Sequence, residues 1–117
     1  MSAYDDDAAI IAAARVGFLD EAADMLAQFE QALLVMETAP ADMENLNAAF
    51  RAAHTIKGTA GLFGFDAVVR FTHEVETLLE ALRSGHRPVA EAVIAALLEG
   101  RDQIEALLGE MGLDAER

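Results

Sequence analysis

The chain has no cysteine, no tryptophan, two prolines and a single lysine among 117 residues. Without cysteine neither a disulfide framework nor a thiolate metal site can form, and the composition suits a reducing, cytoplasmic compartment. Positive charge is also scarce: 8 Lys and Arg stand against 21 Asp and Glu, for a net charge of -13. So acidic a chain repels nucleic acid and offers no basic stripe to anionic lipid, which leaves proteins as the expected partners. No apolar run approaches the roughly 20 residues that span a bilayer. The opening MSAYDDDAA is acidic where a signal peptide needs basic residues and an apolar run, so a soluble protein without membrane insertion is expected. Strand-type alternation, low-complexity linkers and repeats are missing, as is a Gly-rich phosphate loop beside a strand, so the chain is not expected to bind and cleave ATP by itself.

What is present is helical periodicity and enough apolar residues, 54%, for the core of one domain spanning residues 1–117. The spacing predicts helices over about 7–38, 42–62, 66–84 and 89–110, an all-α antiparallel four-helix bundle. Asp5, Asp6 and Asp7 place negative charge and a cap ahead of the first helix, where Gly17 is a candidate bend. Thr38-Ala39-Pro40 ends that helix, and Asp42 or an adjacent residue is expected to cap the second. The short Gly64-Phe65 connection folds the third helix back on the second, with Asp66 as its expected N-cap. Val68, Phe71, Val75, Leu78, Leu79 and Leu82 form the apolar stripe of the third helix, leaving His73, Glu76, Thr77 and Glu80 outside it. Ser84 to Pro88 breaks the chain, and Gly109 and Gly112 suggest fraying at the end of the fourth helix.

The chemistry concentrates in FRAAHTIKGTAGLFGF, Phe50 to Phe65. At about 100° per residue, Ala49, Ala52, Ile56, Ala60 and Phe63 make a buried stripe, while Lys57, Gly58 and Gly61 lie within about 60° of outward-facing His54. Helical glycine costs roughly 1 kcal/mol against alanine, so Gly58 and Gly61 on that face suggest a close approach to the backbone by a docking protein. A helix end would explain Gly64 and could also explain Gly61, but not Gly58.

Register across the hairpin brings the second histidine and a carboxylate to the same patch. Counting from Phe65, His54 lies eleven residues before and Glu76 eleven after, while Lys57 and His73 lie eight before and eight after. A Glu76 carboxylate accepting from Nδ1–H of His54 leaves the lone pair on an outward Nε2, a nucleophile, and stabilises charge developing on the ring. Lys57 is placed to neutralise phosphoryl oxygens, and His73 to donate a hydrogen bond there. The adjacent lysine disfavours a metal ion in this groove, and no HExxH or di-iron ExxH pattern occurs.

FRAAHTIKGTAGLFGF followed by THEVETLLEALRSG closely resembles the histidine phosphotransfer (HPt) domains of CheA-type chemotaxis kinases. The HxxKG core, His54 to Gly58, is shared by HPt domains generally, and GLFGF with His73 and Glu76 is specific to the CheA type. The resemblance implies that His54 is phosphorylated, with Glu76 as its hydrogen-bond partner and Lys57 and His73 in support. It implies that ATP and Mg are used by the separate kinase catalytic domain, the fragment itself holding no cofactor and no metal. The phosphoryl group then passes to an aspartate of a CheY-like or CheB-like response regulator, making this chain a phosphocarrier rather than a catalyst alone. Thr59 stands where glycine is common, and Leu62, at a variable position, is expected beside Gly58 and Gly61 in choosing the regulator. The fifth helix usual in CheA-type domains is expected to be missing or truncated, as in a monomeric fragment that starts at a natural N-terminus and stops before a linker. Two other readings compete: a docking module that carries no phosphate, and a stand-alone HPt of a multistep phosphorelay.

Overall fold

The computed structural model of the chain describes residues 3–116, with side chains from 6 to 112, and within them four α-helices follow one another and no strand occurs. They are α1 (Ala3–Thr38), α2 (Met43–Leu62), α3 (Asp66–Arg83) and α4 (Glu91–Glu116). Packing runs in a ring, α1 on α2, α2 on α3, α3 on α4 and α4 back on α1, and among the described residues no diagonal pair of helices is in contact. Leu19 of α1 meets Gly112 of α4, and Met36 lies near Ile94, so these two helices run antiparallel.

The helix ends show which local signals decided the boundaries. α1 already begins at Ala3, so Asp5 to Asp7 sit inside its first turns rather than ahead of them; the side chain of Asp5 lies outside the described residues. Negative charge in those turns still complements the helix dipole. The helix passes Gly17 without interruption, since one exposed glycine lowers helix propensity without removing a hydrogen bond. Asp42 caps α2, its carboxylate accepting from the Glu44 backbone N–H at 3.0 Å and from Asn45 Nδ2 at 2.9 Å.

α2 ends in a Schellman motif: Phe65 N–H donates to Ala60 O at 3.0 Å and Gly64 N–H to Gly61 O at 3.2 Å, with Gly64 at φ 72°. The left-handed conformation is what requires glycine at 64. Gly61 contributes only a carbonyl, which any residue supplies. The motif also moves the start of α3: Phe65, not Asp66, occupies the N-cap position, without a side-chain cap, because its ring is drawn into the core at 5% exposure. There Phe18, Phe63 and Phe65 close one end of the bundle, with centroid separations of 5.6 to 6.2 Å.

α4 continues through Gly109 and Gly112 to Glu116 instead of fraying. Packing of the last described turns on α1, through Leu108 and the Leu19–Gly112 contact, outweighs the low propensity of two glycines. Gly100 brings α4 close to α3, since a Cβ there would come within 3.3 Å of Val75 Cγ2. Among the described residues no helix is long and apolar enough to cross a membrane.

Candidate functional site

The site lies in the outer groove between α2 and α3, and the burial pattern of α3 explains its shape. Val68, Thr72, Val75, Glu76, Leu79 and Leu82 are buried, whereas Phe71 and Leu78, placed in the stripe by sequence, are only partly so. At about 100° per residue the buried arc is centred near Val68 and Leu79, with Phe71 and Leu78 on one rim and Glu76 about 80° away on the other. Glu76 therefore does not face outward as expected. Its side chain is 8% exposed, wedged on the rim that meets α2. Thr72, which the stripe read from the sequence did not include, is fully buried, and its Oγ1 has no hydrogen-bond partner among the described atoms.

Glu76 is gripped from two directions. His54 Nδ1 lies 2.6 Å from Oε1, and Lys57 Nζ donates to Oε2 at 2.5 Å, so both carboxylate oxygens are used. Burial by itself pushes the Glu76 carboxyl up, but the hydrogen bonds from Lys57 and His54, followed by their charges, outweigh it and hold the group below the usual carboxylate value. At neutral pH the carboxylate is ionised and can only accept, so the proton of the shared bond belongs to Nδ1 of His54. In the neutral ring the lone pair is then on Nε2. The His54 side chain is 65% exposed, and Phe50, one turn earlier on α2, lies against it with ring planes 8° apart and centroids 6.1 Å apart.

Lys57, expected to stand beside His73, instead spends one donor on Glu76, and its side chain is 23% exposed. An ammonium has three donors, so two remain for a ligand. His73 is exposed and lines a shallow groove with Lys57, Val69, Arg70 and Glu74; among the described residues its side chain makes no hydrogen bond to His54, Glu76 or Lys57. Gly58 and Gly61 are exposed, and Leu62 is 84% exposed. A Cβ at Gly58 would meet nothing within 4 Å, and one at Gly61 only Val69 Cγ2 at an ordinary 3.8 Å, so internal packing requires neither glycine. Sequence reasoning passed over Phe50 and Arg83, whose guanidinium carbon lies 4.2 Å from the centre of the Phe50 ring. The signal was there in the four-residue spacing of Phe50 and His54. Among the described residues no three potential metal-ligating side chains converge.

Comparison with known proteins places the sequence and the fold in one family. The sequence model of the Hpt domain family matches residues 14–111. The chain is 44% identical over 91 residues to the chemotaxis protein CheA of Salmonella typhimurium, which covers 78% of this chain but only 14% of that relative's length. Its fold is similar to the CheA phosphotransferase domain from Thermotoga maritima, with a TM-score of 0.80 at 31% identity, covering 86% of this chain and 95% of that one. It is also similar to the phosphorylated P1 domain of CheA3 in complex with CheY6 from R. sphaeroides, with a TM-score of 0.79 at 26% identity over 86% of this chain and 78% of the other.

Proposed function

Because the chain belongs to the Hpt domain family, we propose that it is the phosphocarrier domain of a CheA-like chemotaxis kinase and that His54 carries the phosphoryl group. The reading rests on one observation above all, an imidazole that is 65% exposed and whose Nδ1 is held 2.6 Å from a buried carboxylate. In the first step the Nε2 lone pair attacks the γ-phosphorus of ATP bound in the separate kinase catalytic domain. The P–N bond forms as the bond to the β,γ-bridging oxygen breaks, and ADP leaves. Positive charge developing on the ring is met by Glu76 through the Nδ1 proton, which stays in place. In the second step a regulator aspartate attacks phosphorus, the P–N bond breaks and its electron pair returns to Nε2.

The other residues support this transfer. The two remaining donors of Lys57 face the oxygens of the phosphoryl group, and His73 borders the same groove from α3. Gly58, Gly61 and Leu62 offer an uncluttered approach for a CheY-like or CheB-like regulator. ATP and Mg belong to the kinase catalytic domain rather than to this chain, which acts as a cytoplasmic, monomeric carrier. The test is incubation with ATP, Mg and the catalytic domain of a CheA kinase, followed by a CheY-like regulator. Wild type should take up acid-labile, alkali-stable phosphate and lose it to the regulator, whereas His54→Gln should take up none while keeping its helical circular dichroism. Absence of labelling in wild type, or equal labelling of both proteins, would sink the proposal.

A further inference from the structure

Glu76 fixes one atom of the His54 ring, but a single hydrogen bond leaves the ring able to rotate about it, and 65% of the side chain is open to solvent. The attack direction of Nε2 therefore needs a second support. The structure assigns that support to Phe50 and Arg83, as positioning residues that hold the plane of the His54 imidazole. This rests on the reading of His54 as the phosphoryl acceptor.

The support is layered. The Phe50 ring lies 8° from parallel to the imidazole, at 6.1 Å between centroids, in the offset range in which aromatic rings attract. Phe50 is half-buried against the core, and the Arg83 guanidinium stands over its ring at 4.2 Å. Arg83 in turn is tied to Glu80, with Nη1 donating to Oε2 at 3.2 Å. The hairpin register explains why these groups meet. Phe50 is fifteen residues before Phe65 and Glu80 fifteen after, the rung next to that of His54 and Glu76. α3 thus presents two carboxylates one turn apart: Glu76 sets the proton of the ring, and Glu80 steadies the cation that holds its neighbour.

A planar wall on one side of the imidazole reduces the orientations open to Nε2, so more encounters begin near the attack geometry. The expected consequence is on turnover, not on recognition, because Phe50 and Arg83 act through His54 and donate nothing to the phosphoryl group.

Phe50→Leu removes the flat ring but keeps an apolar side chain, Phe50→Tyr keeps the ring, and Arg83→Met keeps the aliphatic stem without the charge. Phosphoryl uptake from a CheA catalytic domain should fall about 3- to 10-fold in kcat for Phe50→Leu, the size of one aromatic contact, with KM unchanged. Phe50→Tyr should restore it, and Arg83→Met should give a smaller fall in kcat. In the free chain, without kinase, the ring-current shift of the His54 carbon-bound protons in NMR should disappear in Phe50→Leu and survive in Phe50→Tyr. An unchanged ring-current shift in a folded Phe50→Leu variant, a kcat within about twofold of wild type, or a loss carried by KM alone would overturn the assignment. If wild type takes up no phosphate, the carrier reading fails instead, and the kinase-free spectra still decide whether Phe50 orders the ring.

Discussion

Replacing Glu76 by glutamine changes only one atom, yet the structure says it should reverse the proton on His54. The carboxylate now accepts on both oxygens, from His54 at 2.6 Å and from Lys57 at 2.5 Å. An amide has one acceptor and one donor end, and the Lys57 ammonium can only donate, so the carbonyl of Gln must turn to the lysine. The NH2 group then faces Nδ1 of His54, which has to accept, and the ring proton moves to Nε2, the atom that needs a lone pair. A hydrogen bond to a charged group contributes about 1.5–3 kcal/mol, which corresponds to roughly 10- to 150-fold in tautomer population. With the imidazole 65% exposed, water competes and the lower part of that range applies. Phosphoryl uptake by Glu76→Gln should therefore fall about 10- to 50-fold in kcat, with little change in KM.

Heteronuclear NMR of the ring nitrogens supplies the direct assay. Wild type should show the proton on Nδ1 and Glu76→Gln on Nε2. Adding Lys57→Met removes the donor that fixes the amide, which can then turn either end to His54, so the double variant should regain a share of the Nδ1-protonated ring whatever the lysine itself contributes to rate. A Glu76→Gln protein that keeps the proton on Nδ1 and is phosphorylated within about threefold of wild type would refute the reasoning. A double variant with the proton as fully on Nε2 as in Glu76→Gln alone would do the same.

The Glu76 carboxyl titrates below its unfolded value of about 4.3, so its contribution to stability is present above that pH and is lost as pH falls through the lower folded value. In urea unfolding, the stability gap between wild type and Glu76→Gln should accordingly be largest near neutrality and close on acidification; a constant gap would mean the carboxylate is not the cause. Thr72→Val keeps the buried shape while removing an unpaired hydroxyl, and should stabilise the fold by about 1–2 kcal/mol in thermal or urea unfolding, whereas a loss would show that the hydroxyl has a partner. Gly58→Ala places a methyl where nothing lies within 4 Å and should raise stability by about 0.5–1 kcal/mol. Gly58→Leu should leave phosphoryl uptake by His54 largely intact but slow transfer to the regulator, and equal transfer rates would remove the access argument.

The number of helices, their antiparallel order and the meeting of His54 with Glu76 were legible because each depends on short-range regularities: period, turn length and equal counts from Phe65. What was missed depends on rotation. Periodicity alone does not say where a stripe ends, so Glu76 was placed outside an arc whose rim it forms. The edge was set by the face α3 turns toward α2, a tertiary fact. The phenylalanine cluster at the bundle end was likewise out of reach, since Phe18 meets Phe63 and Phe65 across more than forty residues of sequence. Asp66 has the side chain of an N-cap, but the Schellman turn had already committed Phe65 to that position. The pair Phe50 and Arg83 was nearer to being readable, because the same count that joined His54 to Glu76 joins Phe50 to Glu80.

The three glycines of the central stretch separate structure from access. Gly64 is required by its own backbone, at φ 72°, and closes α2. Gly58 and Gly61 have no such need, since an added Cβ would meet nothing at the first and an ordinary contact at the second. Each lowers helix propensity by roughly 1 kcal/mol with no packing gain to offset it. Both lie on the helix that carries the exposed imidazole, followed at once by a leucine that is 84% exposed. A core is optimised by burying its apolar side chains and filling its helices with good formers, and the inner face of α2, from Leu46 through Ile56 to Ala60, follows that rule. The outer face breaks it at three positions in five residues. Departures confined to one face point to a constraint from outside the bundle, and in the proposed carrier role that constraint is a partner's surface coming within reach of Nε2 of His54 while the inner face keeps the fold intact.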